Sequence, residues 1–135
     1  MGLLSEDKKS RLVEKGKLAD QVLQDIYDRK YSDKNELAGQ LQRFFALRLD
    51  IEEEDWCDEI NKMIRLNVAR KMNVAPEKLH LYDLPAHCNH TTAVQNQRFV
   101  LIIEIQKKLG FIFPAGIVAY IDTFNRMAEE ILALI

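Results

Sequence analysis

Apolar residues recur along the chain at helical spacing, and polar or conformationally special residues close each run. Leu12, Leu18, Ala19, Val22, Leu23 and Ile26 follow a helical period with charged residues between them. Ser5-Glu6-Asp7 supplies an N-cap and acids for the positive end of the helix dipole, and Arg29-Lys30 suits its C-terminus. A second helix starts at Ser32 or Asp33, with Glu36 placed as in a capping box, and buries Leu37, Leu41, Phe44, Phe45 and Leu49. The acidic break at Asp50-Ile51-Glu52-Glu53-Glu54-Asp55 leads into a third helix and crowds its first turn. Its apolar face is Trp56, Ile60, Met63, Ile64, Val68 and Met72, with Cys57 in the core. Residues 46–54 and 69–77 share a pattern of helix end, polar C-cap, β-branched residue and acidic restart. Two helices stopping in the same way account for this more simply than a duplicated domain.

Residues 76–95 are the least regular segment. Leu79, Leu81, Tyr82 and Leu84 suit a loop packed on a core, Pro85 breaks any helix, and Thr91 or Thr92 can cap the next one. The stretch from Gln97 to Leu132 organises the rest. Its apolar run Phe99 to Ile105 reads as a buried helix, because helix formers continue it, Ile102, Ile105 and Leu109 keep helical spacing, and no second good strand exists to pair with it. Gly110 can end that helix in the left-handed conformation, and Pro114 can begin the next. A short helical turn through Ala119 follows. Asp122 or Thr123 then caps a last helix with the face Phe124, Met127, Ile131 and Leu134; one unbroken helix from Ala115 to Ile135 is the alternative.

Composition narrows the class. The 135 residues are 47% hydrophobic and 30% charged, which is ordinary for a globular domain and enough to bury a core. Five glycines and three prolines leave little room for the turns of an all-β fold, so an all-α fold is expected. A net charge of −2 does not suggest a nucleic-acid partner. Cys57 and Cys88 are too few for a disulfide framework, making the reducing cytoplasm the default, and no apolar run is long enough to span a bilayer. Met1 to Ser5 lacks the apolar core of a signal peptide and reads as a frayed terminus. Gly2 hints at myristoylation, but Ser5 falls one place short of the usual position.

Three stretches carry a resemblance. Val68-Ala69-Arg70-Lys71-Met72-Asn73-Val74-Ala75-Pro76-Glu77-Lys78-Leu79 joins a helix end to an acidic turn. Lys107-Lys108-Leu109-Gly110-Phe111-Ile112-Phe113-Pro114 joins a basic helix end to a Gly-to-Pro turn, and residues 114–131, with Ile121-Asp122-Thr123-Phe124, complete the set. From about Glu59 to Leu132 the chain resembles the acyl carrier proteins, small four-helix bundles that carry acyl groups on a phosphopantetheine arm. The resemblance implies a carrier-like bundle over residues 56–135, preceded by a two-helix extension over residues 1–55.

The family attaches its arm to a serine at the head of its second helix, where a phosphate meets free backbone N–H groups. Counting back from Pro114 places Gln95 at that position. Matching the upstream pattern Asp83-Leu84-Pro85-Ala86-His87-Cys88 places Cys88 there instead, at the expense of about two extra helical turns. The Pro114 register needs less insertion and is preferred. Neither register has a serine, since Ser5, Ser10 and Ser32 all lie in the extension. Gln95, Asn96, Gln97 and Arg98 also replace the carboxylates that carrier-protein enzymes recognise. The resemblance thus implies a carrier without a cofactor.

Other chemistry is sparse. His80, His87, Cys88 and His90 bring together zinc-type donors at a spacing that matches no established motif. Cys88 at a helix start beside His87 would be a low-pKa thiol, and Thr91 and Thr92 are substitute attachment sites. No serine triad order, phosphate loop or carboxylate pair is present, so no enzymatic activity is expected. The reading is therefore a non-catalytic, carrier-like module that binds protein partners, such as acyl- or peptide-synthesis enzymes. An unrelated helical adaptor or oligomerisation domain, and a thiol or metal sensor using Cys88 with His87 and His90, are the alternatives. In a monomer the first helix covers Leu37, Leu41, Phe44 and Phe45; left bare, that stripe points to a homodimer.

Overall fold

The computed structural model describes residues 6–85 and 91–135. The initial residues 1–5, including the Ser5 cap and the Gly2 hint, lie outside them. The fold is all-α: α1 (Glu6–Arg29), α2 (Lys34–Leu49), α3 (Ile60–Met72), α4 (Ala93–Leu109) and α5 (Phe124–Leu134). Short 3-10 turns at Glu53–Asp55, Pro76–Leu81 and Val118–Tyr120 connect them. The only extended pairing among the described residues is an isolated antiparallel bridge between Glu59 and Thr123.

α1 and α2 form an antiparallel hairpin. Asp33 caps α2 by accepting from the Asn35 N–H at 2.8 Å. The expected stripe Leu37, Leu41, Phe44, Phe45 and Leu49 is wholly buried, with α1 on one side and α5 on the other. The same chain thus covers that stripe. α1 buries Ala19, Val22, Leu23 and Ile26, while Leu12 and Leu18 stay more than a third exposed. α1 has 24 residues and α2 only 16, so the first turns of α1, up to about Leu12, overhang the hairpin.

The rings of Phe44, Phe45 and Phe124 tie α2 to α5. Phe45 meets Phe44 edge-on at 5.9 Å and Phe124 at 5.2 Å. One contiguous core runs from Ala19 through Phe45 to Ile131. Arg48 of α2 adds a polar clasp across the helices. Its guanidinium forks onto Glu104 of α4, at 2.7 Å from Nη2, and also reaches Asp20 and the Gly16 carbonyl of α1.

Three helices end in the same way. Asp50, Asn73 and Gly110 take the left-handed conformation, with φ of 54°, 56° and 75°. The next residue's N–H reaches back into the last turn each time: Ile51 to Ala46 at 3.0 Å, Val74 to Ala69 at 3.0 Å and Phe111 to Gln106 at 3.2 Å. The two similar stretches seen in the sequence are therefore matching helix stops.

Asp50 also joins three helices. Its carboxylate takes Arg11 at 3.2 Å and Lys15 of α1, while its carbonyl accepts Arg70 of α3 at 2.7 Å. Leu49 O accepts Asn67 at 2.9 Å and Arg70 at 2.8 Å. Partial burial pushes the Asp50 carboxyl up, but the Lys15 hydrogen bond and the charges of Lys15, Arg11 and Arg70 outweigh it and hold the pKa below the ordinary carboxylate value. A carboxyl depressed in the folded state stabilises above its unfolded pKa of about 3.9 and loses that contribution as pH falls through the folded value. The urea midpoint should therefore fall below about pH 4, and fall less steeply in Asp50→Asn, where asparagine keeps the left-handed cap. An identical acid dependence in both proteins would remove Asp50 from the account.

The third helix differs from expectation. The acids Glu53–Asp55 form a separate 3-10 turn closed by the Trp56 N–H on Glu53 O at 3.1 Å. Glu59 is then held extended opposite Thr123: Ile60 N–H donates to Asp122 O at 3.0 Å, and Phe124 N–H to Asp58 O at 3.0 Å. This pairing ties the starts of α3 and α5 together and delays α3 to Ile60. Trp56 is therefore off the helix, half-buried, with its indole N–H on Ile51 O at 3.0 Å. Cys57 is likewise only half-buried, its thiol on Glu59 O at 3.4 Å, and Met72 is exposed. The segment 114–123 breaks the alternative single helix, and Thr123 caps α5 by accepting from Arg126 N–H at 3.0 Å. Phe124, Met127 and Ile131 are buried as expected, but Leu134, in the last turn, is exposed.

Candidate functional site

The preferred register points to Gln95 at the head of α4, and that helix start is fully occupied by the chain's own groups; Cys88, the position in the other register, lies outside the described residues. Thr92 is the N-cap. Its hydroxyl accepts from Gln95 N–H at 3.1 Å, and the Gln95 side chain accepts from Thr92 N–H at 2.9 Å, a reciprocal capping box. Asn96 N–H already reaches Thr92 O at 3.0 Å. The two remaining amides, of Ala93 and Val94, donate to the Asp83 carboxylate at 2.6 and 3.1 Å. Every N–H that a helix start normally leaves open thus has a partner.

Asp83 is buried, and it arrives there from the end of the Pro76–Leu81 turn. The Asp83 and Tyr82 amides fold back on Leu79 O at 2.9 Å each, and Leu79 is sunk in the core. That anchor aims the carboxylate at α4. The price is that Leu81, Tyr82 and Leu84 stand 59–67% exposed, not packed as the apolar pattern implies. A six-residue 3-10 turn has one inward side, and Leu79 fills it.

Gln95, which the preferred register singles out, is thus the third residue of α4 and serves as a cap. Thr91 donates to the Asn96 side chain at 2.8 Å. Arg98 is turned inward and half-buried, donating to Val118 O at 2.6 Å and to Asn61 at 3.4 Å. Burial lowers its pKa, with Asp122 partly opposing the shift.

Beyond its head, α4 departs from the fully buried helix expected. Leu101, Ile102 and Ile105 face the core, but Phe99 and Val100 are 61% and 58% exposed, and Ile103 is only half-buried. α4 packs chiefly on α1 and α3, with Arg48 of α2 reaching Glu104, and leaves Phe99 and Val100 to solvent. The turn after it extends this surface. Gln106 accepts from Phe113 N–H at 2.9 Å, and Phe111 and Phe113 sit edge-on at 4.8 Å, both buried. With its neighbours turned in, Ile112 is thrust out, 80% exposed. A shallow groove lined by Ile103, Gln106, Lys107, Gly110, Phe111 and Ile112 results.

His87, Cys88 and His90 lie outside the described residues; His80 is exposed on the Pro76–Leu81 turn. Among the described residues no three metal-ligating side chains gather, and no helix is long and apolar enough to cross a membrane. Two features escaped the sequence reading. Asp83 lies ten residues from the amide it caps, beyond any local capping pattern. The exposure of Phe99 and Val100 depends on which helices pack where. Compared with known proteins, the chain matches no family model, no curated protein and no solved structure.

Proposed function

We propose that this chain is a carrier-like bundle without carrier chemistry, using the outer face of α4 to bind a protein partner. The observation that carries the reading is the contrast along this one helix. Its head presents Gln95 and a self-satisfied set of amides where a carrier would attach its arm, while Phe99, Val100, Ile103 and Ile112 make an apolar surface toward solvent. Support for the carrier likeness comes from the order of elements after residue 56: a helix, a long connection, a helix ending at Gly110, a short 3-10 turn and a last helix. The face lacks acidic residues and ends at Lys107, which suits an amphipathic partner helix with apolar anchors and an acidic flank. Acyl- or peptide-synthesis enzymes are the partners that the resemblance implies.

The test has two arms. Incubation with coenzyme A and a broad-specificity phosphopantetheinyl transferase should leave the intact mass unchanged; a gain of one phosphopantetheine overturns the reading and sends fragmentation to Cys88, Thr91, Thr92 and the serines. In the second arm, photo-crosslinkers at residues 99 and 103 should trap a discrete partner that a Phe99→Ser/Ile103→Ser protein loses with its helical signal intact. Equal capture by both proteins overturns the docking face.

One observation favours a second reading, an unrelated helical adaptor: α2 is flanked by α1, α3 and α5. A fragment of residues 56–135 that folds by itself favours the carrier-like unit, and one that stays unfolded favours the adaptor.

A further inference from the structure

The cavity between the α1–α2 turn and the ends of α4 and α5 lies apart from the outer face of α4. It holds about 540 Å³, within the range of small-molecule sites. Its walls are Ile26, Leu109, Leu132 and Ile135, aliphatic residues without a directional polar group. Tyr27, Tyr31, Ser32 and Lys30 complete the lining.

The surrounding charge is positive. Arg29 lies over the Tyr31 ring at 5.3 Å and donates to its hydroxyl at 3.1 Å, and Lys108 lies over the Tyr27 ring at 5.9 Å. Both aromatic faces are thus already covered by the chain's own cations, which disfavours a cationic ligand there. The neighbouring acids are engaged locally: Asp28 accepts from Gln24 at 2.9 Å, and Asp33 caps α2. Lys30 is exposed, has no ion-pair partner among the described residues, and takes a left-handed backbone, φ 49°. Three helices also end here; Arg29 lies in the last turn of α1 and Lys107 and Lys108 in that of α4, while the last turn of α5 has no basic residue.

We propose that this cavity binds a medium-chain aliphatic carboxylate, with its chain between Ile26, Leu109 and Leu132 and its head at Lys30 and Ser32. At about 30 Å³ per heavy atom, close to water's share of liquid volume, a ten-carbon acid fills roughly 360 Å³ and fits with its head at the rim. The site is built partly from α1 and the α1–α2 turn, so it is a property of the N-terminal extension.

Decanoate, below its micelle concentration, is the probe, followed by methyl NMR of the full chain. Saturable shifts are expected at Ile26, Leu109 and Leu132 with Ile103 and Ile112 unmoved. Decan-1-ol and decyltrimethylammonium should bind about tenfold more weakly, the size expected for one charge-assisted contact. Leu132→Trp should abolish binding by filling the cavity. Lys30→Asn should weaken it about tenfold while keeping the backbone, since asparagine tolerates the left-handed region, and it decides the matter if the tryptophan variant fails to fold. Absence of saturation, shifts centred on Ile103 and Ile112, equal binding of the alcohol or the amine, or an unchanged affinity in Lys30→Asn would each overturn the proposal.

Discussion

Phe45→Ala should lower the unfolding free energy by about 4 kcal/mol, the middle of the range for a buried phenylalanine. The ring is fully buried, meets Phe44 at 5.9 Å and Phe124 at 5.2 Å, and joins the hairpin to the last helix. Removing it loses the transfer free energy and leaves a cavity that three helices cannot close together. Domains of this size have about 5–15 kcal/mol in total, so the variant will be near its limit, and Phe45→Leu supplies a milder step in the same direction. Phe99→Ala is the matched control. With Phe99 61% exposed, its truncation should change stability by no more than about 0.5 kcal/mol. Urea midpoints compare the two directly. Similar losses would mean that the outer face of α4 is packed in solution, and the proposed docking surface would fall with it.

The second large effect is expected at Asp83. Asp83→Ala strips Ala93 and Val94 amides of a charged acceptor at 2.6 and 3.1 Å, and should cost about 2–3 kcal/mol. Asp83→Asn keeps one acceptor oxygen and should lose about half of that. Hydrogen exchange at the two amides reports the change locally, and the urea midpoint reports it globally. A further consequence separates the anion-site account from simple packing: with its carboxylate gone, the helix start becomes an ordinary anion site, so phosphate should stabilise Asp83→Ala more than the parent protein. Unchanged exchange at Ala93 and Val94 would show that the carboxylate does not hold the head of α4.

Much of the local structure was legible because it is made by near neighbours. The stripe Leu37 to Leu49 follows the helix repeat, and each member is wholly buried. Caps at Asp33, Thr92 and Thr123 follow from short polar side chains reaching amides two or three residues on. The stops at Asp50, Asn73 and Gly110 use residues suited to the left-handed region, and their effect ends within six residues. The absence of a serine near the head of α4 is likewise a fact of the sequence alone.

The misplacements have two causes, a long-range partner that overrode a local preference and apolar residues that no surface came to cover. The acids at Glu53–Asp55 make a good helix start, but backbone pairing of residues 58–60 with residues 122–124 holds the intervening chain extended. Trp56 and Cys57 therefore left the helix face to which their spacing assigned them. Leu81, Tyr82 and Leu84 are as apolar as Leu79, yet one anchor sufficed for a short turn. Phe99 and Val100 sit in a run that reads as buried on every side, but burial needs something to face.

The sequence by itself determined most of the helices, their caps and stops, and the lack of a serine near the head of α4, because those depend on residues within a turn or two of each other. Only the tertiary structure decided that α5 as well as α1 closes over Leu37 to Phe45, that Asp83 fills the head of α4, and that one side of α4 faces solvent. Those outcomes depend on which surfaces meet across the chain, and an apolar residue states only that it can be buried, not what will cover it.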